Sequence, residues 1–77
     1  MMKWKSLALD EPPIMGDCYS APVLVRIAPK EYFFVRFFRY ENGLAIWETT
    51  DEGEYEIPAS ADDFWISIDE LEKEFER

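Results

Sequence analysis

The fold is decided by residues 31–50, which read EYFFVRFFRYENGLAIWETT. Aromatic and β-branched residues dominate both sides of Asn42-Gly43, and such runs are typical of strands. Asn-Gly is the strongest short hairpin signal, because both central residues of a type I′ turn need positive φ. The sequence therefore predicts a hairpin of strands 31–41 and 44–50. Residues 31–41 carry aromatic side chains on both faces, which predicts that they form the central strand of a sheet.

The register of this hairpin follows from the length of its loop. If Asn42 and Gly43 alone form the loop, Phe38 lies opposite Trp47 and Arg39 lies opposite Ile46. The sequence then predicts that the Phe38–Trp47 pair marks the core face of the sheet.

Residues 23–28 predict a strand before this hairpin, with Val23, Val25 and Ile27 on one face. After the hairpin and a turn at 51–53, residues 54–58 alternate acidic and apolar side chains, as an edge strand does, and Pro58 ends the pairing.

The C-terminal segment allows two interpretations. The apolar residues Phe64, Ile68, Leu71 and Phe75 have helical spacing, so one long helix starting near Ser60 is an alternative. We favour a break. Ser67 and Glu70 have the spacing of a capping box, and Ile66 and Leu71 that of its hydrophobic staple. The break predicts an extended piece over 63–66 and a helix over 68–76.

The expected fold class is α+β: a small twisted antiparallel sheet of four or five strands, or a half-barrel of the same strands, with one C-terminal α-helix. The length of 77 residues allows a single domain with one core, spanning 1–77. We expect an arm with a proline-rich loop over 1–21, a β-meander over 22–58 and the terminal helix over 67–76.

Composition argues against an enzyme. The chain has no histidine, its three glycines stand far apart, and no phosphate-binding motif is present. We therefore expect no catalytic residue, no cofactor and no metal site. The single cysteine, Cys18, cannot form an intrachain disulfide and is interpreted as an incidental thiol. With no signal peptide or membrane-spanning stretch visible, we expect a cytoplasmic protein.

Negative charge is concentrated in the C-terminal part of the chain. Residues 1–47 hold five acidic and six basic side chains (+1), whereas 48–77 hold twelve acidic and two basic ones (−10), which gives −9 in total. Such a protein should not bind nucleic acid or anionic membranes directly, because binding of polyphosphates begins with a basic patch. The plainest interpretation of the charge is solubility.

A more specific interpretation is a surface that binds a basic protein. Alternate acidic residues of one strand lie on one face, about 6.6 Å apart, which is of the order of the phosphate spacing along a nucleic-acid strand. The helix adds further carboxylates. The acidic candidates for this surface are Glu52, Glu54, Glu56, Asp69, Glu70, Glu72, Glu74 and Glu76.

The aromatic strand suggests a second candidate surface. One helix covers at most one face of residues 31–41. Either the sheet closes into a barrel or the N-terminal arm with Trp4 covers the other face, or an uncovered face binds a partner or a second copy of the chain. We name Phe33 and Phe37 as the candidates on this aromatic face.

Short motifs along the chain resemble a family of short phage and prophage proteins of unknown function. They are Lys3-Trp4-Lys5-Ser6, Pro12-Pro13, Val23-Leu24-Val25, Trp47 and Asp63-Phe64-Trp65. The end differs, because an acidic helix stands where that family has a proline-rich tail. The resemblance implies a phage or mobile-element context, and hence a host bacterial cytoplasm.

Together these features predict a non-enzymatic, acidic protein-binding module. The leading hypothesis is a phage-derived, DNA-mimic-like inhibitor of a basic nucleic-acid-handling or defence protein. The alternative is a structural or assembly module that forms a homodimer or binds another phage protein through its aromatic sheet face.

Overall fold

A computed structural model describes residues 3–16, 19–49 and 56–76 of the chain. These residues form eight β-strands and one α-helix. The elements are β1 (Lys5–Ser6), β2 (Ile14–Met15), β3 (Tyr19–Ser20), β4 (Val23–Ala28), β5 (Glu31–Arg39), β6 (Ala45–Thr49), β7 (Glu56–Pro58), β8 (Phe64–Ser67) and α1 (Ile68–Phe75).

The strands form one antiparallel sheet that curls into a half-barrel, so the predicted fold class is confirmed. The main strand order is β1-β8-β4-β5-β6-β7, and β3 with β2 extends the sheet beside β5. The predicted count of four or five strands was too low. The extra strands β1, β2 and β3 have two residues each, which is too short for alternation to be visible in the sequence.

Strand β3 continues the edge that β4 presents to β5. Tyr19 pairs with Phe38 and Val23 with Val35, so the register changes across Ala21-Pro22. At this irregularity the buried hydroxyl of Ser20 accepts the backbone N–H of Phe37 at 2.8 Å. The side chain thus satisfies a buried donor that the regular ladder does not reach.

The β5–β6 hairpin has a three-residue loop, Glu41 to Gly43, and not the predicted two-residue one. The N–H of Tyr40 donates to the carbonyl of Leu44 at 2.7 Å. Gly43 has a φ of 92°, while Asn42 does not adopt positive φ and accepts the N–H of Leu44 through its side chain at 3.0 Å. A type I turn followed by a left-handed glycine explains this geometry.

The longer loop shifts the register by one residue. Phe37 lies opposite Trp47, and Phe38 lies opposite Ile46, so the predicted Phe38–Trp47 pair was wrong. Because successive side chains point to opposite faces, Phe37 occupies the core, with 1% of its surface exposed, and Phe38 lies half-buried on the other face.

The core lies on the inner face of the curled sheet. Val23 and Val25 face it as predicted, and Ile27 packs against it. The buried cluster consists of Leu7, Val23, Val25, Val35, Phe37, Trp47 and Trp65. The indole N–H of Trp65 donates to the carbonyl of Asp10 at 2.8 Å, which fixes the N-terminal segment to the strand that precedes the helix.

The C-terminal break is confirmed. Residues 64–67 form β8, and the Ser67 hydroxyl accepts the N–H of Glu70 at 3.1 Å, so Ser67 is the N-cap of α1. The Glu70 carboxylate lies 3.3 Å from the ammonium of Lys5 and so ties the helix to the segment that carries β1. The predicted turn at 51–53 lies outside the described residues.

Candidate protein-binding surfaces

Helix α1 presents both acidic and aromatic groups to solvent. Asp69, Glu72 and Glu76 are exposed, and so is the ring of Phe75, at 78%. The other two acidic candidates on α1 differ. Glu70 is half-buried and paired with Lys5, and Glu74 is half-buried.

The apolar side of α1 is only partly covered by the protein itself. Leu71 is buried and Ile68 is half-buried, whereas Phe75 lies in water. Phe75 follows Leu71 by four residues, so the two side chains share one face of the helix. The apolar stripe of α1 therefore continues past the protein's own core into solvent.

The strand acids are placed differently. Glu52, Glu54 and the thiol of Cys18 lie outside the described residues. Glu56 is exposed on β7 and lies directly opposite Glu48 on β6. The phenol of Tyr40 donates a hydrogen bond to Glu56 at 2.9 Å, so this carboxylate has a partner within the protein.

Glu56 and the acids of α1 belong to distant parts of the sheet. Helix α1 contacts β8, β7 pairs with β6, and β4, β5 and β6 lie between β8 and β7 in the strand order. Four strand spacings amount to about 19 Å measured along the sheet. The acids of α1 and the acid of β7 therefore lie on elements that are four strand positions apart in the sheet.

A polar network on the outer face of the sheet stabilises the Glu48–Glu56 contact, which like charges alone would destabilise. Arg36 lies opposite Glu48, with Nη2 3.2 Å from Oε1. The Tyr19 phenol donates to the other oxygen of Glu48 at 2.9 Å, and the Arg36 guanidinium lies over the Tyr19 ring. Hydrogen bonding to Glu48 raises the pKa of Tyr19, and hydrogen bonding to Glu56 raises the pKa of Tyr40.

Sequence reasoning missed this network because it depends on register. The predicted two-residue loop placed Arg36 opposite Thr49, whereas the observed pairing joins Arg36 to Glu48. An Arg and a Glu at opposed positions of adjacent strands form a favourable pair, so the correct loop length would have revealed it.

The exposed aromatic face is the opposite one to that predicted. Phe37 is buried in the core and Phe33 packs against it, so these two candidates face inward. The outer face instead exposes Tyr32 and Phe34, at 50% and 54%, and the partly exposed ring of Phe64. Both faces of β5 therefore carry aromatic side chains.

The described residues contain no helix of the length and apolarity needed to cross a bilayer. Across 3–16, 19–49 and 56–76, no three Asp, Glu, Cys or His side chains cluster in a way that could hold a metal ion. This chain matched no protein-family model, no curated protein and no solved structure. The chemistry of its own surfaces is therefore what indicates its function.

Proposed function

We propose that this chain is a non-enzymatic, acidic protein-binding module that docks helix α1 on a basic partner protein. The observation that carries the proposal is the ring of Phe75, which is exposed on the same helix as the exposed carboxylates of Asp69, Glu72 and Glu76. Aromatic anchors supply much of the energy of protein interfaces, and surrounding charges raise the association rate.

The chemistry of the partner follows from this arrangement. An apolar pocket for one aromatic ring, bordered by Lys or Arg side chains, complements α1. The net charge of −9 would steer such a partner from a distance, because long-range fields scale with the charge that produces them.

The resemblance to phage proteins extends the proposal to a biological setting. The partner would be a basic nucleic-acid-handling or defence protein of a bacterial host, met in the host cytoplasm. The chain would inhibit it by occupying a surface that otherwise contacts the nucleic-acid backbone, with carboxylates in place of phosphates.

The test compares two variants with the same change in charge. In the helix variant, Asp69→Asn, Glu72→Gln and Glu76→Gln remove three charges from the end of the chain that carries α1. In the strand variant, Glu52→Gln, Glu54→Gln and Glu56→Gln remove three charges from residues 52–56. A partner is first captured from nuclease-treated bacterial lysate and identified, and its association rate is then measured against salt concentration.

The helix variant should associate more slowly and with a weaker salt dependence than the strand variant, because charges near the contact dominate steering within the Debye length of about 8 Å. Phe75→Ala should mainly increase the dissociation rate, and DNA should compete with the wild-type chain for the partner. An association rate that is equal in the wild type and the helix variant would overturn docking through α1.

Self-association is a second candidate, favoured by the exposed rings of Tyr32 and Phe34 on the outer sheet face. Light scattering of the purified chain at low and high salt tests it. A dimer that persists at both salt concentrations and that Phe34→Ser dissociates would support an assembly module. A monomer at all concentrations would exclude it.

A further inference from the structure

A pocket of about 430 Å³ opens on the outer face of the sheet, at the end remote from the β5–β6 hairpin loop. Four side chains line it: Trp4, Arg26, Tyr32 and Phe64. Arg26 on β4 pairs with Tyr32 on β5 and with Phe64 on β8, so an aromatic residue flanks it on each side. The Trp4 ring lies 5.9 Å from the Tyr32 ring and extends this aromatic wall.

Arg26 differs from the other two arginines that the structure describes. Arg36 is paired with Glu48 and lies over the Tyr19 ring. Arg39 is paired with Glu11 and lies 5.7 Å from the Phe37 ring. Arg26 is half-buried, and within the described part of the chain it has neither an ion pair nor a side-chain hydrogen bond. Its charge is thus available to a ligand.

We propose that this pocket binds a small molecule that combines one planar ring with one anionic group. The ring would stack on Trp4, Tyr32 or Phe64, and the anionic group would pair with the Arg26 guanidinium, whose planar array of donors fits a carboxylate or a phosphate. The aromatic walls alone would also suit a cation, but the charge of Arg26 repels one.

The size and charge of the protein restrict the ligand further. Pockets for small molecules usually have volumes of about 300–1,000 Å³, and this one falls within that range. A long polyanion would also meet the field of a protein with a net charge of −9, whereas a ligand with a single anionic group meets little of it. The proposal does not depend on docking through α1, since none of the lining residues belongs to that helix.

Nuclear magnetic resonance can test binding at this pocket directly. The indole N–H groups of Trp47 and Trp65 donate to Asp63 and Asp10, whereas Trp4 lines the pocket, so its indole signal reports on the ligand. The probes are adenosine monophosphate and indole-3-acetate, which carry the proposed chemistry on a nucleotide and on an aromatic carboxylate. As controls, adenosine and tryptophol lack the anionic group, and inorganic phosphate lacks the ring.

Adenosine monophosphate or indole-3-acetate should shift the Trp4 indole signal in a saturable way, and the signals of Trp47 and Trp65 should stay in place. The probe that binds more tightly shows whether the ligand resembles a nucleotide or an aromatic carboxylate. Arg26→Gln should weaken the binding about tenfold, as expected for the loss of a charge-assisted hydrogen bond. Lys73→Gln, which removes the same charge from α1, should leave the affinity unchanged.

The proposal fails if neither anionic probe shifts the Trp4 signal. It also fails if the neutral probes or phosphate alone bind as tightly as the anionic ring compounds, or if Arg26→Gln and Lys73→Gln have equal effects. The dispersion of the amide spectrum confirms for each variant that the chain remains folded.

Discussion

The carboxylate of Asp63 accepts the indole N–H of Trp47 at 2.7 Å and, through the same oxygen, the backbone N–H of Ser60 at 2.8 Å. Asp63 is 2% exposed and Trp47 is fully buried. This pair joins the segment between β7 and β8 to a fully buried indole of the core. The two donors satisfy a carboxylate that could not otherwise be buried without a large free-energy cost.

Replacement of Asp63 should destabilise the protein through these two donors. Asp63→Ala leaves the buried indole N–H of Trp47 without a partner and removes the acceptor of the Ser60 N–H, and the free energy of unfolding should fall by about 1–3 kcal/mol. Asp62→Ala, at the exposed neighbouring position, should change it by less than about 0.5 kcal/mol. Urea denaturation followed by tryptophan fluorescence measures both variants. Equal stability of the two would contradict a structural role for the Asp63–Trp47 hydrogen bond.

The register of the β5–β6 hairpin predicts unequal effects at two adjacent phenylalanines. Phe37→Ala removes a fully buried ring and should cost about 3–5 kcal/mol. Phe38→Ala removes a half-buried ring on the outer face and should cost about 1–2 kcal/mol. Thermal and urea unfolding compare the two variants. If Phe38→Ala destabilised the protein more than Phe37→Ala, the two-residue loop and the Phe38–Trp47 pair would be correct after all.

The helix cap can be tested at one position. Ser67→Ala removes the acceptor of the Glu70 N–H and should lower the free energy of unfolding by about 0.5–2 kcal/mol. Ser67→Asp is the matched control, because aspartate caps helices about as well as serine. If alanine and aspartate were equally stable, capping at Ser67 would contribute nothing.

High pH should weaken the outer-face network. The pKa of Tyr19 and of Tyr40 lies above the ordinary value of 10.0 because each phenol donates to a carboxylate. A group whose pKa is raised by folding stabilises the protein fully below its unfolded pKa and loses that contribution as pH rises through its folded pKa. Stability should therefore decline above about pH 10.

The double variant Tyr19→Phe, Tyr40→Phe isolates this effect, because it keeps both rings and removes both phenols. Its stability should decline less steeply between about pH 10 and pH 12 than that of the wild type. Unfolding by urea at each pH gives the comparison, and tyrosinate absorbance follows the titration. If the free energy of unfolding of the two proteins depended on pH in the same way, the hydrogen bonds to Glu48 and Glu56 would not couple stability to pH.

The sequence predicted those parts of the fold that depend on local patterns. Alternation identified β4, and the run of aromatic and β-branched residues identified β5. The spacing of Ser67 and Glu70 located the start of α1, because capping acts over a few residues. The register was missed because Asn-Gly occurs in both two-residue and three-residue hairpin loops. The one additional residue in the loop decided whether Phe37 or Phe38 lay in the core.

The candidate surfaces were predicted less well, for a related reason. The acids of α1 were identified from composition, but their separation from Glu56 depends on strand order, which pairs residues far apart in sequence. The Arg26 pocket is formed by Trp4 and by residues of β4, β5 and β8. Local patterns do not predict contacts between segments that are so far apart in sequence. The hydrogen bond between Asp63 and Trp47 was not predicted, because it joins residues 16 positions apart.

Strand β5 belongs to both halves of the sheet, and this arrangement bears on how the protein opens. Residues 31–35 pair with β4 on one edge and residues 35–39 pair with β6 on the other, with Val35 joined to both. Loss of β5 removes the pairing of both β4 and β6, so we expect these strands to open as one cooperative unit. Amide hydrogens of β4 and β6 should exchange with the same free energy of opening, equal to that of global unfolding. A ligand bound to β4 or to β6 would then slow the exchange of amide hydrogens in both strands.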